Sequence, residues 1–229
     1  MKPQLACFER LGAAGWEALD RTVADARAAG LLVIADGKRG DVPVSAAAYA
    51  QALVGSTPSP WGDIDGLGAD ALTANPLLGA DALEPLLDAA SRAGAGVFAL
   101  VRTSNAGAAD IFDLPAPEHP LHERLAALVA ERASLLAGSA EGVGISGMGA
   151  VVGATEPRFL GRLRELMQEA IFLIPGVGAQ GGEVADLAPA FSGHPASALV
   201  TASRSIAGAP DPSQAAERLR DEVAAVASR

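Results

Sequence analysis

Leu31-Leu32-Val33-Ile34-Ala35, followed at once by Asp36-Gly37-Lys38-Arg39-Gly40-Asp41-Val42, is an apolar run that ends in a charged tail punctuated by glycine. A continuous apolar run of this length reads as a strand covered on both faces, the habit of parallel sheets. Upstream, Trp16, Leu19, Val23 and Ala26 recur at helical spacing between Gly15 and Ala29, and Gly30 stops that helix. Downstream the rhythm repeats. Helices are expected around Ser45–Val54, Asp81–Arg92, Pro117–Leu136 and Glu156–Ala170, and strands around Ala69–Thr73, Val97–Val101, Gly149–Val152, Ile171–Ile174 and Ala198–Thr201. A short helix should follow Gly182, and Asp211-Pro212 opens the last one as an N-cap with proline in the first helical position.

Strict alternation of strand and helix implies an α/β fold with a parallel sheet. Polar and glycine-rich residues collect at the C-terminal ends of the strands, where barrel enzymes keep their chemistry, so a (β/α)8 TIM barrel fits better than an open sheet. The pattern yields six strands, or seven if Lys2–Ala6 is counted, so the expected barrel is incomplete, with its first strand and helix missing. Glycine and proline are spread along the chain without a linker-like block, which points to a single domain over residues 1–229.

Composition narrows the function. Half of the 229 residues are hydrophobic and the net charge is −10, so a nucleic-acid partner, which needs clustered Lys and Arg, is disfavoured, while a small anion can still be gripped by local charges. One cysteine, Cys7, cannot form an internal disulfide and suits a reducing, cytoplasmic setting. No segment approaches the roughly 20 apolar residues of a membrane helix, and no signal peptide opens the chain. The expectation is a cytoplasmic protein without a membrane partner.

Three constellations can carry chemistry. Asp36 and Lys38 stand two apart at a strand end and share a face, with Asp41 three residues on; in a pocket screened from water such charges interact several-fold more strongly than in bulk solvent. In isolation D-x-K-x-x-D is also the pattern of an ordinary ion-pair network. Pro175-Gly176-Val177-Gly178-Ala179-Gln180-Gly181-Gly182 frees the backbone for close approach to a ligand, and Ser203-Arg204 follows the next strand; loops after the last two strands of a barrel often hold phosphate. Arg102-Thr103-Ser104-Asn105 offers groups able to read the edge of a heterocyclic base, and equally the residues of a capping turn. His119 and His122 read as a solvated helix start rather than metal ligands, and His194 and Cys7 as structural.

Lys2-Pro3-Gln4, Phe8-Glu9-Arg10, Gly12 to Gly15, Ala35 to Asp41, Thr103-Ser104-Asn105, Val151 to Thr155, Pro175 to Gly182 and Ala202-Ser203-Arg204 occur together in an order and spacing that resemble the orotidine 5'-phosphate decarboxylase family, in its high-GC bacterial subgroup. The resemblance covers essentially the whole chain. It implies a cofactor-independent decarboxylation of orotidine 5'-monophosphate to UMP, with no metal: Lys38 gives the proton to C6, Asp36 holds Lys38 in a charged array with Lys2, and Asp41 serves the partner subunit of a homodimer. It further implies that Ser104 hydrogen-bonds the pyrimidine, that Gln180, Gly181, Ser203 and Arg204 hold the phosphate, and that Ser45 reaches the partner's ribose. The family's first strand, with a ribose-binding aspartate in a G-x-D-P segment, has no counterpart before Met1, and a shortened chain is expected. Arg102 is unusual beside Ser104. Two other readings follow from these departures: a weak or inactive relative that binds UMP-like ligands, and a magnesium-dependent sugar-phosphate enzyme of the same suprafamily.

Overall fold

The structure is a computed structural model that describes residues 1–138 and 144–228. By contact density the chain divides into two compact units, residues 1–99 and 100–229, with one strand running across the boundary.

The first unit opens on an extended segment that runs beside the first strand: the amides of Ile34 and Asp36 donate to the carbonyls of Met1 and Pro3, and Gln4 bridges to Asp36 in parallel. The opening strand expected over Lys2–Ala6 stops there, because helix α1 begins at Leu5 (Leu5–Glu9). Helix α2 (Ala13–Ala28) buries Leu19, Val23 and Ala26 as its spacing predicts, but leaves Trp16 exposed. Strand β1 (Ile34–Arg39) starts three residues later than the apolar run, since the Leu31 amide still bonds back to Ala26 and closes the helix. It also runs further than expected, carrying the polar tail into the ladder, where Arg39 pairs with Ala74.

Helix α3 (Pro43–Leu53) is followed by a two-stranded antiparallel hairpin, β2 (Ser56–Thr57) and β3 (Ile64–Asp65), with Trp61 exposed in its turn. Nothing in the hydrophobic pattern announces these two-residue strands. Strand β4 (Ala71–Ala74), helix α4 (Ala80–Ala93) and strand β5 (Gly96–Arg102) complete the unit, with β1, β4 and β5 in parallel register. Its core holds Leu5, Leu19, Leu53, Leu72, Leu83, Leu86 and Val97, each worth about 1.5–3 kcal/mol when fully buried.

The second unit contains the end of β5, helix α5 (Ala108–Phe112), helix α6 (Leu121–Glu131), strand β6 (Ser146–Val152), helix α7 (Arg158–Leu166), strand β7 (Ala170–Ile174), strand β8 (Ala198–Val200), helix α8 (Arg204–Ala207) and helix α9 (Pro212–Ala227). Strands β6, β7 and β8 are parallel. The helix expected over Pro117–Leu136 is shorter because Pro120 pushes its predecessor out of helical geometry, and its last turn, Ala133–Leu136, tightens to a 3-10 helix. Asp211 caps α9 as read, accepting from the Gln214 amide at 3.0 Å.

Arg164 anchors β7 from below. Its buried guanidinium donates to the carbonyls of Met167, Ala170, Ala190 and Ser197 and lies 3.8 Å from the Phe172 ring centre, and burial lowers its pKa to about 10. No helix among the described residues is long and apolar enough to cross a membrane.

Candidate active site

In the first unit the charged tail of β1 folds into a compact cluster. Asp36 is 4% exposed, and both of its oxygens are engaged: Lys2 Nζ bonds Oδ2, while Lys38 Nζ at 2.6 Å and Thr73 Oγ1 at 3.0 Å bond Oδ1. Burial alone would push the carboxyl up, but hydrogen bonds from two ammonium groups, together with their charge, outweigh it and hold its pKa below the ordinary value. The carboxylate therefore stays ionised and fixes both lysines.

Lys38 sits at φ +49°, a left-handed conformation that costs a non-glycine residue about 1–2 kcal/mol. It occupies the shift in register between Ala35 and Arg39, and its amide is held by Thr73 Oγ1 at 2.8 Å. A bulge of this kind re-aims one side chain of a strand. Local strain retained beside a buried charge is a mark of functional sites.

Asp41 accepts from the Val42 amide at 2.8 Å, just before α3. Ser45 lies half-buried in the first turn of α3. Thr73 escaped the sequence reading, although its place at the polar end of β4 is the signal that marks such residues.

In the second unit a different set converges. Ser104 follows β5, and its carbonyl accepts from Thr155 Oγ1 at 3.1 Å. Gly176, at φ +105°, adopts a backbone that only glycine takes easily, and a Cβ there would lie 3.0 Å from Ser104 Cβ, 3.3 Å from Thr155 and 3.5 Å from Gln180 Oε1. Ser104, Thr155 and Gln180 thus gather around one glycine. The loop closes on itself through Gly178 to Gly182 and Gly182 to Gly176 amide bonds of 2.9 and 3.0 Å, leaving Gln180 and Gly181 exposed.

Ser203 and Arg204 open α8, both exposed, and the neighbouring Ser205, unremarked in the sequence, packs toward Gly178. The glycine loop and the start of α8 are therefore neighbours, and an exposed guanidinium stands beside a glycine-rich backbone. That combination suits a phosphate.

Gly153 makes the Ser104 placement possible. A Cβ on it would stand 2.7 Å from Ser104 Cα and N, backbone atoms that cannot yield like a side-chain tip. Gly153→Ala is expected to lose about 1–3 kcal/mol of stability through overpacking, read as a lower urea midpoint at unchanged slope. A midpoint equal to that of the parent would contradict the contact.

His122 departs from expectation. It is buried on α6, its Nδ1 is 2.8 Å from the Phe112 carbonyl and its ring meets Phe159 edge-on at 4.9 Å, so it is a core histidine; His119 alone is exposed. His194 accepts from the Ala196 amide within its own turn, in keeping with a structural role.

The sequence model of the orotidine 5'-phosphate decarboxylase / HUMPS family matches residues 1–219. The orotidine 5'-phosphate decarboxylase of Rhodopirellula baltica is 44% identical over 209 residues, which make up 90% of this chain and 66% of that protein. That of Deinococcus radiodurans is 43% identical over 209 residues, 90% and 70% of the two chains. Among solved structures, the OMP decarboxylase of Leishmania donovani superposes with a TM-score of 0.78 at 33% identity, covering 100% of this chain and 81% of its own. The chain spans about two thirds of the length of the curated relatives it matches.

Proposed function

The chain belongs to the orotidine 5'-phosphate decarboxylase / HUMPS family, whose fold is the TIM barrel, and from that premise we propose that it decarboxylates orotidine 5'-monophosphate to UMP without a metal or organic cofactor. The observation that carries the reading is the buried Asp36 carboxylate gripping Lys2 and Lys38 at a bulged strand end. Loss of CO2 breaks the bond between C6 and the carboxyl carbon and leaves the electron pair on C6. Lys38 Nζ–H then delivers its proton to C6, giving UMP, and the lysine regains a proton from water. Asp36 keeps Lys38 aimed and charged until that transfer, with Lys2 balancing the array.

By likeness to the family, Ser104 serves the pyrimidine edge, and Gln180, Gly181, Ser203 and Arg204 serve the phosphate. Contacts to the phosphate, remote from the reacting bond, provide binding energy that is expressed in the transition state. Asp41 and Ser45 act in the partner's site of a homodimer, where the Asp41 carboxylate repels the substrate's own; that repulsion disappears as CO2 departs.

The magnesium reading loses ground on chemistry. A metal would need Asp36 oxygens that are already occupied by two ammonium groups and a hydroxyl. Turnover of orotidine 5'-monophosphate, followed as loss of its absorbance, is expected to continue unchanged in EDTA. UMP binding without turnover would favour the inactive relative, and activity abolished by EDTA would restore the metal-dependent one.

A further inference from the structure

Arg102 is the last residue of β5, yet its side chain is only 5% exposed and turns back into the protein. Its Nε and Nη2 donate to the two oxygens of Asp113 at 2.8 and 3.1 Å, and Nη1 donates to the Thr103 carbonyl at 2.8 Å. The guanidinium carbon lies 5.0 Å from the centre of the Phe159 ring, which backs it on α7. Asp113 ends α5, and His122 Nδ1 steadies the same turn, 2.8 Å from the Phe112 carbonyl and 3.5 Å from Asp113 Oδ1.

The ion pair therefore joins the two ends of the loop that begins at Thr103 and closes at Asp113, and Ser104 lies at its start. Thr103 Oγ1 is tied in turn to Asn105 Oδ1 at 2.7 Å, while Thr155 and the bare backbone of Gly153 hold Ser104 from the other side. A buried ion pair is weak as a device for stability alone, since apolar residues of equal volume often serve as well; fixed geometry is what it can add. A bidentate guanidinium with a third donor committed to the adjacent carbonyl fixes one loop conformation.

We propose that Arg102 and Asp113 form a clamp that positions Ser104 against the base, so that Arg102 is a positioning residue for recognition of the pyrimidine, not of the sugar phosphate. This rests on the nucleotide reading above. The probes are UMP, which carries the base, and ribose 5-phosphate, which lacks it, each titrated calorimetrically into the intact protein. Arg102→Met is expected to weaken UMP about tenfold while ribose 5-phosphate stays within about twofold, the size of one lost, well-aimed hydrogen bond. Arg102→Lys should recover part of the loss, and in a Ser104→Ala background Arg102→Met should cost nothing further. If Arg102→Met does not fold, Asp113→Asn carries the same selective loss in smaller measure. Equal weakening of both probes, or no change in either, overturns the clamp alone. A parent protein that binds UMP no better than ribose 5-phosphate overturns the clamp and the nucleotide reading together.

Discussion

Lys38→Ala is expected to lower the turnover of orotidine 5'-monophosphate by at least about 100- to 10,000-fold, the range that a positioned proton donor contributes, while leaving the fold intact. The side chain is 41% exposed, so its loss opens no cavity, and Asp36 keeps Lys2 and the Thr73 hydroxyl. Lys38→Arg sharpens the test. It preserves the charge beside Asp36, but a guanidinium stays protonated and does not surrender its proton, so this variant should be as inactive as the alanine one. If the ion pair merely held the strand end together, arginine would restore activity. Turnover above a tenth of the parent rate in Lys38→Arg, measured at substrate saturation, would show that Lys38 is an electrostatic support and that the proton comes from elsewhere.

The reading of β1 shows what sequence alone reveals and what it leaves hidden. Hydrophobic runs and their polar ends located β1, β4, β5, β7 and β8 to within a few residues, because strands covered on both faces need continuous apolar sequence. Asp36 and Lys38 could be placed on one face from their spacing. The bulge that strains Lys38 and the threonine that holds it could not, since a shift in register depends on the partner strand. The same limit applied to His122, read as part of a solvated helix start, and to Arg102, read among groups facing a base or a capping turn. Both are buried because their partners, the Phe112 carbonyl and Asp113, arrive at the end of α5, a five-residue helix too short for periodicity to announce. The β2–β3 hairpin escaped because two residues per strand are too few for alternation to register.

Asp36→Asn should be the most damaging substitution to stability in the first unit, and its effect should depend on pH in a defined direction. The amide keeps the shape of the carboxylate but offers two ammonium groups no counter-charge. Removing one partner of a buried pair costs about 3–5 kcal/mol, and the lower end applies here because Lys38 is partly open to water. Burial opposes ionisation of Asp36, but Lys2 and Lys38 prevail and its folded pKa lies below the value of about 3.9 of an unfolded aspartate. A depressed pKa means that the unfolded chain binds the proton more readily. The contribution of Asp36 is therefore complete above about pH 4–5 and drains away as acid drives the folded carboxylate through its own titration. Urea midpoints of the parent and of Asp36→Asn should differ by a constant amount from about pH 5 to 8 and converge below about pH 4. A gap that persists undiminished at pH 3, or widens there, would mean that Asp36 gains nothing from its lysines. Lys2→Met in the Asp36→Asn background should return part of the lost stability, because it removes one of the two stranded charges. Activity should stay lost, since Lys38 would still lack the carboxylate that aims it.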